Sequence, residues 1–319
     1  LFYVPNDASV ESSGAISASV TSTGAYSARL GVGAASYVLS GEFSPLTGLA
    51  FNSIPRRGLT PITVQLQLDF SNGPITGSIS DGAWAANLMA LPSIYSRTNP
   101  APQVGKYTLV FPGSDNASAQ PGGNGFGAVT VNTLGDVSLS GTLGDGTPFT
   151  SSSVVAGEGR WPFYVSLYGG KGSILGWLSF TNGDNINGQI EWFKQPISTA
   201  KLYPGGFTNG TEAIGSVYHF TNEVPVLGSV DASLSLINGD LDDGVTNQVA
   251  LGPYIPATEA TTTKLSCSTS SGIFYGSVIN PETGKAIAIH GVVLQNQNFG
   301  AGYFLGTNQS GSVLLSPTP

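Results

Sequence analysis

Short runs in which apolar and polar residues alternate fill most of the chain. Gly, Asn, Asp and Pro separate these runs, and no apolar period of 3.6 residues extends beyond two turns. The alternation predicts strands at 13–20, 24–30, 35–43, 62–70, 74–80, 83–90, 105–111, 125–131, 135–143, 147–155, 161–168, 172–180, 186–193, 215–220, 229–237, 263–267, 271–279, 285–295, 299–305 and 311–315. We therefore expect an all-β protein.

The turns between these runs predict how the strands pair. Asn-Gly at 72–73 and 182–183, and Asp-Gly at 145–146, each lie between two apolar runs. Such dipeptides favour tight hairpins because both residues tolerate positive φ. We therefore expect antiparallel meander hairpins. Similar segments at 12–20, 125–131 and 270–278 suggest an internal repeat, or the chance likeness of hairpins rich in Gly, Ser and Val.

Residues 196–215 have the densest turn chemistry and are the best candidate for a domain boundary. They predict two β-barrel or β-sandwich units, a first at 1–195 and a smaller second at 216–319, with 196–215 as the linker. The alternative is one continuous barrel or sandwich with a long crossing loop.

Charge and cysteine content restrict the classes of partner and the covalent links that the chain can have. Only 9% of the 319 residues are charged, against roughly 25% in a typical domain, and the net charge is −8. The chain offers no positive field to nucleic acid, and its neutral surface suits self-association or contact with polysaccharide. Cys267 is the only cysteine, so an intrachain disulfide is excluded, and we expect a small buried hydrophobe there.

No signal peptide and no apolar stretch of 18 residues occurs in the sequence. We therefore expect a processed or excised chain without a transmembrane segment.

Three segments carry a resemblance to a family: GKYTLVFP at 105–112, WPFYVSLYGGKGSILGWLSF at 161–180 and NFGAGYFLGTNQSGSV at 298–313. They resemble β-rich regions near the C-termini of very large secreted or cell-surface proteins of environmental bacteria, which often carry repeats upstream. The likeness spans nearly the whole chain. It implies export and a surface context, but it transfers no catalytic or binding residue because the family has no established activity.

The sequence contains no recognisable catalytic motif. His219 and His290 lie within apolar runs, no G-x-S-x-G elbow occurs, and the Gly-Lys turns lack the upstream glycine of a phosphate-binding loop. We therefore predict no enzyme, no catalytic residue and no organic cofactor. A hydrolase with a carboxylate pair is the alternative, and its best placed acids are Asp69, Asp81, Glu158 and Glu191.

An acidic turn at 238–244 is a candidate structural calcium site. Asn238, Asp240, Asp242 and Asp243 supply the oxygen ligands that Ca²⁺ prefers, although the spacing departs from an EF-hand loop. The alternative is an ordinary polar hairpin.

Aromatic residues give two interpretations for the same side chains. They could form a platform for stacking sugars or pack in the core, and core packing is favoured. The aromatic residues concerned are Trp84, Trp161, Tyr164, Tyr168, Trp177 and Trp192. Together these patterns predict an extracellular, non-enzymatic structural or adhesive protein, such as a self-assembling surface or filament subunit that contacts its own copies or neighbouring surface proteins. The alternative is a glycan-binding adhesive module.

Overall fold

The protein is described from a computed structural model that covers residues 1–4, 8–181, 184–221, 226–251, 257–259 and 262–318. Within these ranges the chain forms 24 strands and no α-helix, so the prediction of an all-β fold is confirmed. No helix in this part of the chain is both long and apolar enough to span a membrane.

The strands form three consecutive sheets of eight, which we call the first, middle and third barrels. The first barrel comprises β1 Phe2–Tyr3, β2 Gly14–Val20, β3 Ala25–Val32, β4 Ala35–Glu42, β5 Leu49–Arg56, β6 Leu59–Leu68, β7 Ile75–Ser80 and β8 Ala85–Ala90. The middle barrel comprises β9 Gly105–Phe111, β10 Gly125–Val131, β11 Asp136–Thr142, β12 Pro148–Val154, β13 Arg160–Leu167, β14 Gly172–Thr181, β15 Asn185–Lys194 and β16 Phe207–Val217. The third comprises β17 Asp231–Asn238, β18 Val245–Ala250, β19 Ala257–Glu259, β20 Thr263–Cys267, β21 Ile273–Ile279, β22 Ala286–Leu294, β23 Phe299–Leu305 and β24 Ser310–Pro317.

Each sheet is an antiparallel meander that is nearly closed into a barrel. The first strand pairs with the eighth in all three: β1 with β8, β9 with β16 and β17 with β24. Each ring of ladders has one interruption, which we call the seam. The seam lies between β4 and β5 in the first barrel, between β12 and β13 in the middle barrel, and between β18 and β19 in the third.

Every barrel has its own apolar core, made by the inward-facing half of each alternating strand. In the middle barrel Trp161, Phe163 and Leu167 of β13 point inward and are buried, as the alternation predicted for the first two. Two smaller apolar clusters join the first barrel to the middle one and the middle barrel to the third.

The predicted division into two units does not match this architecture. Residues 1–195 hold one complete barrel and most of a second, and 196–215 contain most of β16 instead of a linker. β16 pairs with β15 from Lys194↔Phe207 to Asn185↔Ser216 and also with β9, so it closes the middle barrel. β16 contains the dipeptides Asn-Gly at 209–210 and Gly-Ser at 215–216, which are typical of turns. The sequence pattern therefore indicated a linker where the structure has a strand.

The three similar segments at 12–20, 125–131 and 270–278 lie largely on strands β2, β10 and β21. β2 and β10 are the second strands of their barrels, whereas β21 is the fifth of its own. The seam also lies after the second strand in the third barrel and after the fourth in the other two.

Candidate functional site

The seam of the middle barrel opens into a cleft of about 400 Å³. At one end Ser153 on β12 donates its hydroxyl to the Pro162 carbonyl on β13, 2.8 Å away, and thereby bridges the two edges. The cleft lies toward the other end of the seam. The cleft there is lined by four residues of each strand edge: Thr147, Pro148, Phe149, Thr150, Val165, Ser166, Leu167 and Tyr168.

A tight turn positions the β12 side of this cleft. The Asp-Gly turn predicted at 145–146 forms there, with Gly146 at φ +85° and its N–H donating to the Leu143 carbonyl over 2.8 Å. The Asp145 Oδ1 accepts the Thr147 N–H at 3.0 Å. The turn therefore holds the Asp145 carboxylate at the head of the cleft.

Tyr168 ends the β13 side in a left-handed conformation at φ +55°, which is uncommon for a residue other than glycine. Its hydroxyl donates to Asp145 Oδ2 at 2.8 Å and accepts the Trp192 indole N–H at 3.0 Å. Lys194 lies with its Nζ 5.1 Å from the centre of the Tyr168 ring and donates to the Leu202 carbonyl at 2.8 Å. Four side chains from β13, β15 and the β11–β12 turn are thus joined at one end of the barrel.

Burial shifts the pKa values of two members of this cluster, Tyr168 and Lys194. Burial, followed by the nearby Asp145 carboxylate, raises the pKa of Tyr168. Burial lowers the pKa of Lys194, and Asp145 opposes that shift. Tyr168 therefore remains a protonated donor, which suits it to anchoring the strand and not to acting as a base. The Asp-Gly turn is evident in the local sequence, but no local pattern indicates the partners that the Asp145 carboxylate meets.

The other two seams differ from that of the middle barrel. In the first barrel Asn52 spans the seam, since its Nδ2 donates to the Ser40 carbonyl at 3.1 Å and its Oδ1 accepts the Tyr26 hydroxyl. In the third barrel, the seam leads into residues 252–256, which lie outside the described part of the chain.

A second cleft, of about 480 Å³, lies between the middle and third barrels. Lys106 and His219 are on its wall, where Lys106 Nζ donates to the Ser270 carbonyl at 3.2 Å. The backbone of His219 is held by the Gln295 amide, which accepts its N–H at 2.8 Å and donates to its carbonyl at 2.9 Å. This histidine therefore sits at a contact between barrels.

The four acids considered for hydrolysis are distributed over two barrels. Asp69 accepts the N–H and the hydroxyl of Ser71 at 2.9 and 2.6 Å, and these bonds lower the pKa of its carboxyl group. Asp81 forms an ion pair with Arg56 at 2.7 Å. Glu158 lies on a 3₁₀ turn at φ +60° and Glu191 on β15. Asp69 and Asp81 thus belong to the first barrel, and Glu158 and Glu191 belong to the middle barrel.

The remaining candidates are packing residues. Trp161 and Trp192 are buried in the middle core, as the packing interpretation predicted, and Trp84 packs against the first core. Cys267 is buried, as predicted, and burial raises its pKa to about 12. His290 stacks on Tyr303 at 5.6 Å, and burial lowers its pKa.

The candidate calcium turn connects β17 to β18. Asp240 Oδ2 accepts the backbone N–H groups of Thr307 and Asn308 at 2.6 and 2.8 Å, while Asp242 and Asp243 are exposed. Asn238 and Asp240 both have φ of +64°. Among the described residues, no three His, Cys, Asp or Glu side chains converge as a metal site would require. Calcium binding by Asn238, Asp240, Asp242 and Asp243 stays a prediction.

Replacing Asp240 with alanine is expected to destabilise the β23–β24 turn by about 1 kcal/mol, because two backbone N–H groups lose their acceptor. Amide hydrogen exchange measured by NMR should then be about fivefold faster at Thr307 and Asn308. Asp242→Ala on the same turn is the control and should leave both rates unchanged. Equal rates in all three proteins would show that the two bonds contribute nothing. A saturable shift of the 238–243 signals on adding Ca²⁺ would support the calcium prediction.

Comparison with known proteins gives little guidance. No protein-family model matches the chain, and no curated protein matches it. Among solved structures it is similar to the endo-1,5-alpha-L-arabinanase of Thermotoga petrophila RKU-1, at 8% identity and a TM-score of 0.25, over 96% of this chain and 98% of the other.

This match contradicts the predicted non-enzymatic structural or adhesive function, because the matched protein is an enzyme. That function, the prediction that the chain is no enzyme and the alternative of an adhesive glycan-binding module are therefore not retained. A TM-score of 0.25 does not show a common fold, so the likeness assigns no activity to this chain.

Proposed function

We propose that the middle barrel binds a short extended segment of polypeptide in the cleft between β12 and β13. The proposal rests on the interruption of the barrel at this seam. β12 pairs with β11 and β13 with β14, but no ladder joins β12 to β13 in the described chain. Strand edges of this kind can pair with the backbone of an added strand.

The lining of the cleft defines the chemistry of the segment. Phe149, Val165 and Leu167 contribute apolar surface, Thr150 and Ser166 contribute hydroxyl groups, and no charged side chain lines the cleft. Asp145 is already bonded to Tyr168 and Thr147. We therefore expect an uncharged segment with alternating apolar and small polar residues. Four residues on each edge span about 13 Å, which matches about four residues of the ligand.

Selection from a library of displayed peptides, followed by calorimetry, tests the proposal. Peptides that bind the wild-type chain should lose at least about tenfold in affinity when Ser166 is replaced by tryptophan, which fills the cleft. Ser138→Trp is the matched control, because Ser138 is an exposed serine on β11 that is not part of the cleft lining.

N-methylation of the selected peptide distinguishes strand addition from recognition of side chains alone. Methylating alternate backbone nitrogens in one register should abolish binding, and methylating the other register should be tolerated, since alternate N–H groups face each edge. Equal tolerance of both registers, or no selected peptide that responds to Ser166→Trp, would overturn the proposal.

A further inference from the structure

Both contacts between neighbouring barrels use the same surface of the following barrel. We define the receiving face as the outer surface of the fifth, sixth and seventh strands of a barrel. The presenting face is the outer surface of its first, second and eighth strands. At the first contact, Tyr3 on β1 and two residues of the β1–β2 connection, Ala8 and Val10, pack on the receiving face of the middle barrel, against Tyr164, Leu175 and Phe193.

The second contact uses the receiving face of the third barrel, one barrel further along. Val110, Phe126 and Ile214, on the first, second and eighth strands of the middle barrel, present apolar side chains. They pack on the fifth to seventh strands of the third barrel, at Ile273, Val292, Leu294, Phe299, Ala301 and Tyr303.

Hydrogen bonds accompany both contacts. Tyr164 donates its hydroxyl to the Gly33 carbonyl of the first barrel at 3.3 Å. Thr108 on β9 donates to the Val293 carbonyl at 2.6 Å, and the Asn124 N–H donates to the Gly302 carbonyl at 3.0 Å. The barrels are therefore joined head to tail, and the receiving face is used twice within one chain.

Within the described residues, one receiving face and one presenting face have no barrel against them. The free receiving face is the outer surface of β5, β6 and β7, where Phe51 is 67% exposed and lies opposite Gln65. The free presenting face is the outer surface of β24, β17 and β18, where Ile237 and Leu314 are 53% and 42% exposed.

Both free faces have the same chemistry. The polar residues that share the outer surface of β5, β6 and β7 with Phe51 are Ser53, Thr63, Gln65, Thr76 and Ser78. Those that share the outer surface of β24, β17 and β18 with Ile237 and Leu314 are Ser233, Ser235, Thr246 and Gln248. None of these residues is charged, so the centre of the contact buries no ionised group. An apolar side chain within a rim of hydroxyl and amide groups is typical of protein interfaces.

We propose that a second copy of this chain occupies these faces, with the β24–β17–β18 face of one copy bound to the β5–β6–β7 face of the next. The proposed interface extends the contact between the middle and third barrels, in which the first, second and eighth strands of one barrel pack on the fifth to seventh strands of the next. Because the two faces differ, the interface is heterologous, and a dimer retains one free face of each kind. This contact is independent of the peptide cleft in the middle barrel.

Sedimentation velocity of the wild type and two variants tests the inference. The mean mass of the wild type should rise with concentration up to about 1 mM, the range in which weak interfaces form. Phe51→Asp removes the receiving face and Ile237→Asp the presenting face. Each variant alone should lose at least about 30-fold in association constant, because each buries a charge at the centre of the contact.

Mixing the variants gives the sharpest outcome. Phe51→Asp retains its presenting face and Ile237→Asp its receiving face, so an equimolar mixture should form one-to-one dimers and nothing larger. Leu134→Asp, in the β10–β11 turn and on neither face, should associate as the wild type does. A wild type that stays monomeric throughout the range, variants that associate normally, or a mixture that fails to dimerise would each overturn the inference.

Discussion

Replacing Phe163 with alanine is expected to lower the free energy of unfolding of the middle barrel by about 3–5 kcal/mol. Phe163 is completely buried, and its ring centroid lies 5.5 Å from Phe111, 6.3 Å from Phe149 and 5.7 Å from Trp161. These neighbours come from three different strands that are themselves held in ladders. They cannot all move inward together, so most of the cavity would remain open.

Urea unfolding followed by tryptophan fluorescence measures this loss. Three of the four tryptophans, Trp161, Trp177 and Trp192, belong to the middle barrel, so the signal reports chiefly on it. Phe51→Ala is the matched control and should change stability by less than about 0.5 kcal/mol, since this side chain is exposed. A loss below about 1 kcal/mol for Phe163→Ala would mean that the core collapses around the cavity.

Raising the pH above about 9 is expected to unfold the protein progressively. Burial raises the pKa of Cys267 to about 12, and burial and the Asp145 charge raise the pKa of Tyr168. Burial also raises the pKa values of Tyr164, Tyr218 and Tyr303. These groups stay protonated in the folded chain while the unfolded chain releases its protons, so stability is complete below the unfolded pKa values and falls above them.

The unfolded pKa values are near 8.5 for cysteine and 10 for tyrosine, so the decline begins near pH 9 and steepens near pH 10. Each well-buried group lowers the free energy of unfolding by about 1.4 kcal/mol per pH unit in the range where it is deprotonated only in the unfolded chain. Lys194 acts in the opposite direction, because its lowered pKa makes the unfolded chain bind more protons below about pH 10.5.

Urea midpoints measured from pH 7 to 11.5 check this profile. In Cys267→Ala the decline should begin about one pH unit later, and in Tyr168→Phe the slope above pH 10 should be smaller by about one proton. Full recovery of the signal on return to pH 7 is the control for chemical damage. A midpoint that is constant up to pH 11 would contradict the expected deprotonation.

Strands with regular alternation could be predicted from the sequence because their pattern is local. β13 illustrates this: Trp161 and Phe163 were assigned to one face, and both are buried. β5, β18 and the short β1 and β19 were missed. β5 contains Asn52 and Pro55, which suggest a turn, but its position opposite β6 stabilises the strand.

The candidate site could be predicted only in part. The Asp-Gly turn at 145–146 was evident, because two adjacent residues with a conformational preference define it. The left-handed Tyr168, its bond to Asp145 and the cation at Lys194 were not evident, because these residues lie on different elements and meet only after the barrel closes. Cleft residues such as Val165 and Ser166 have nothing unusual in their local sequence.

Local sequence patterns are sufficient to predict that the chain is all-β, that its hairpins are antiparallel, and which side of a regular strand is buried. Alternation and turn residues act over a few neighbouring positions, so they can be interpreted without knowing the rest of the chain. The number of barrels in the described chain, the place of each seam and the faces that join the barrels become visible only in the folded structure. Closing β1 on β8, β9 on β16 and β17 on β24 depends on the register and twist summed over eight strands, and no local pattern contains that sum.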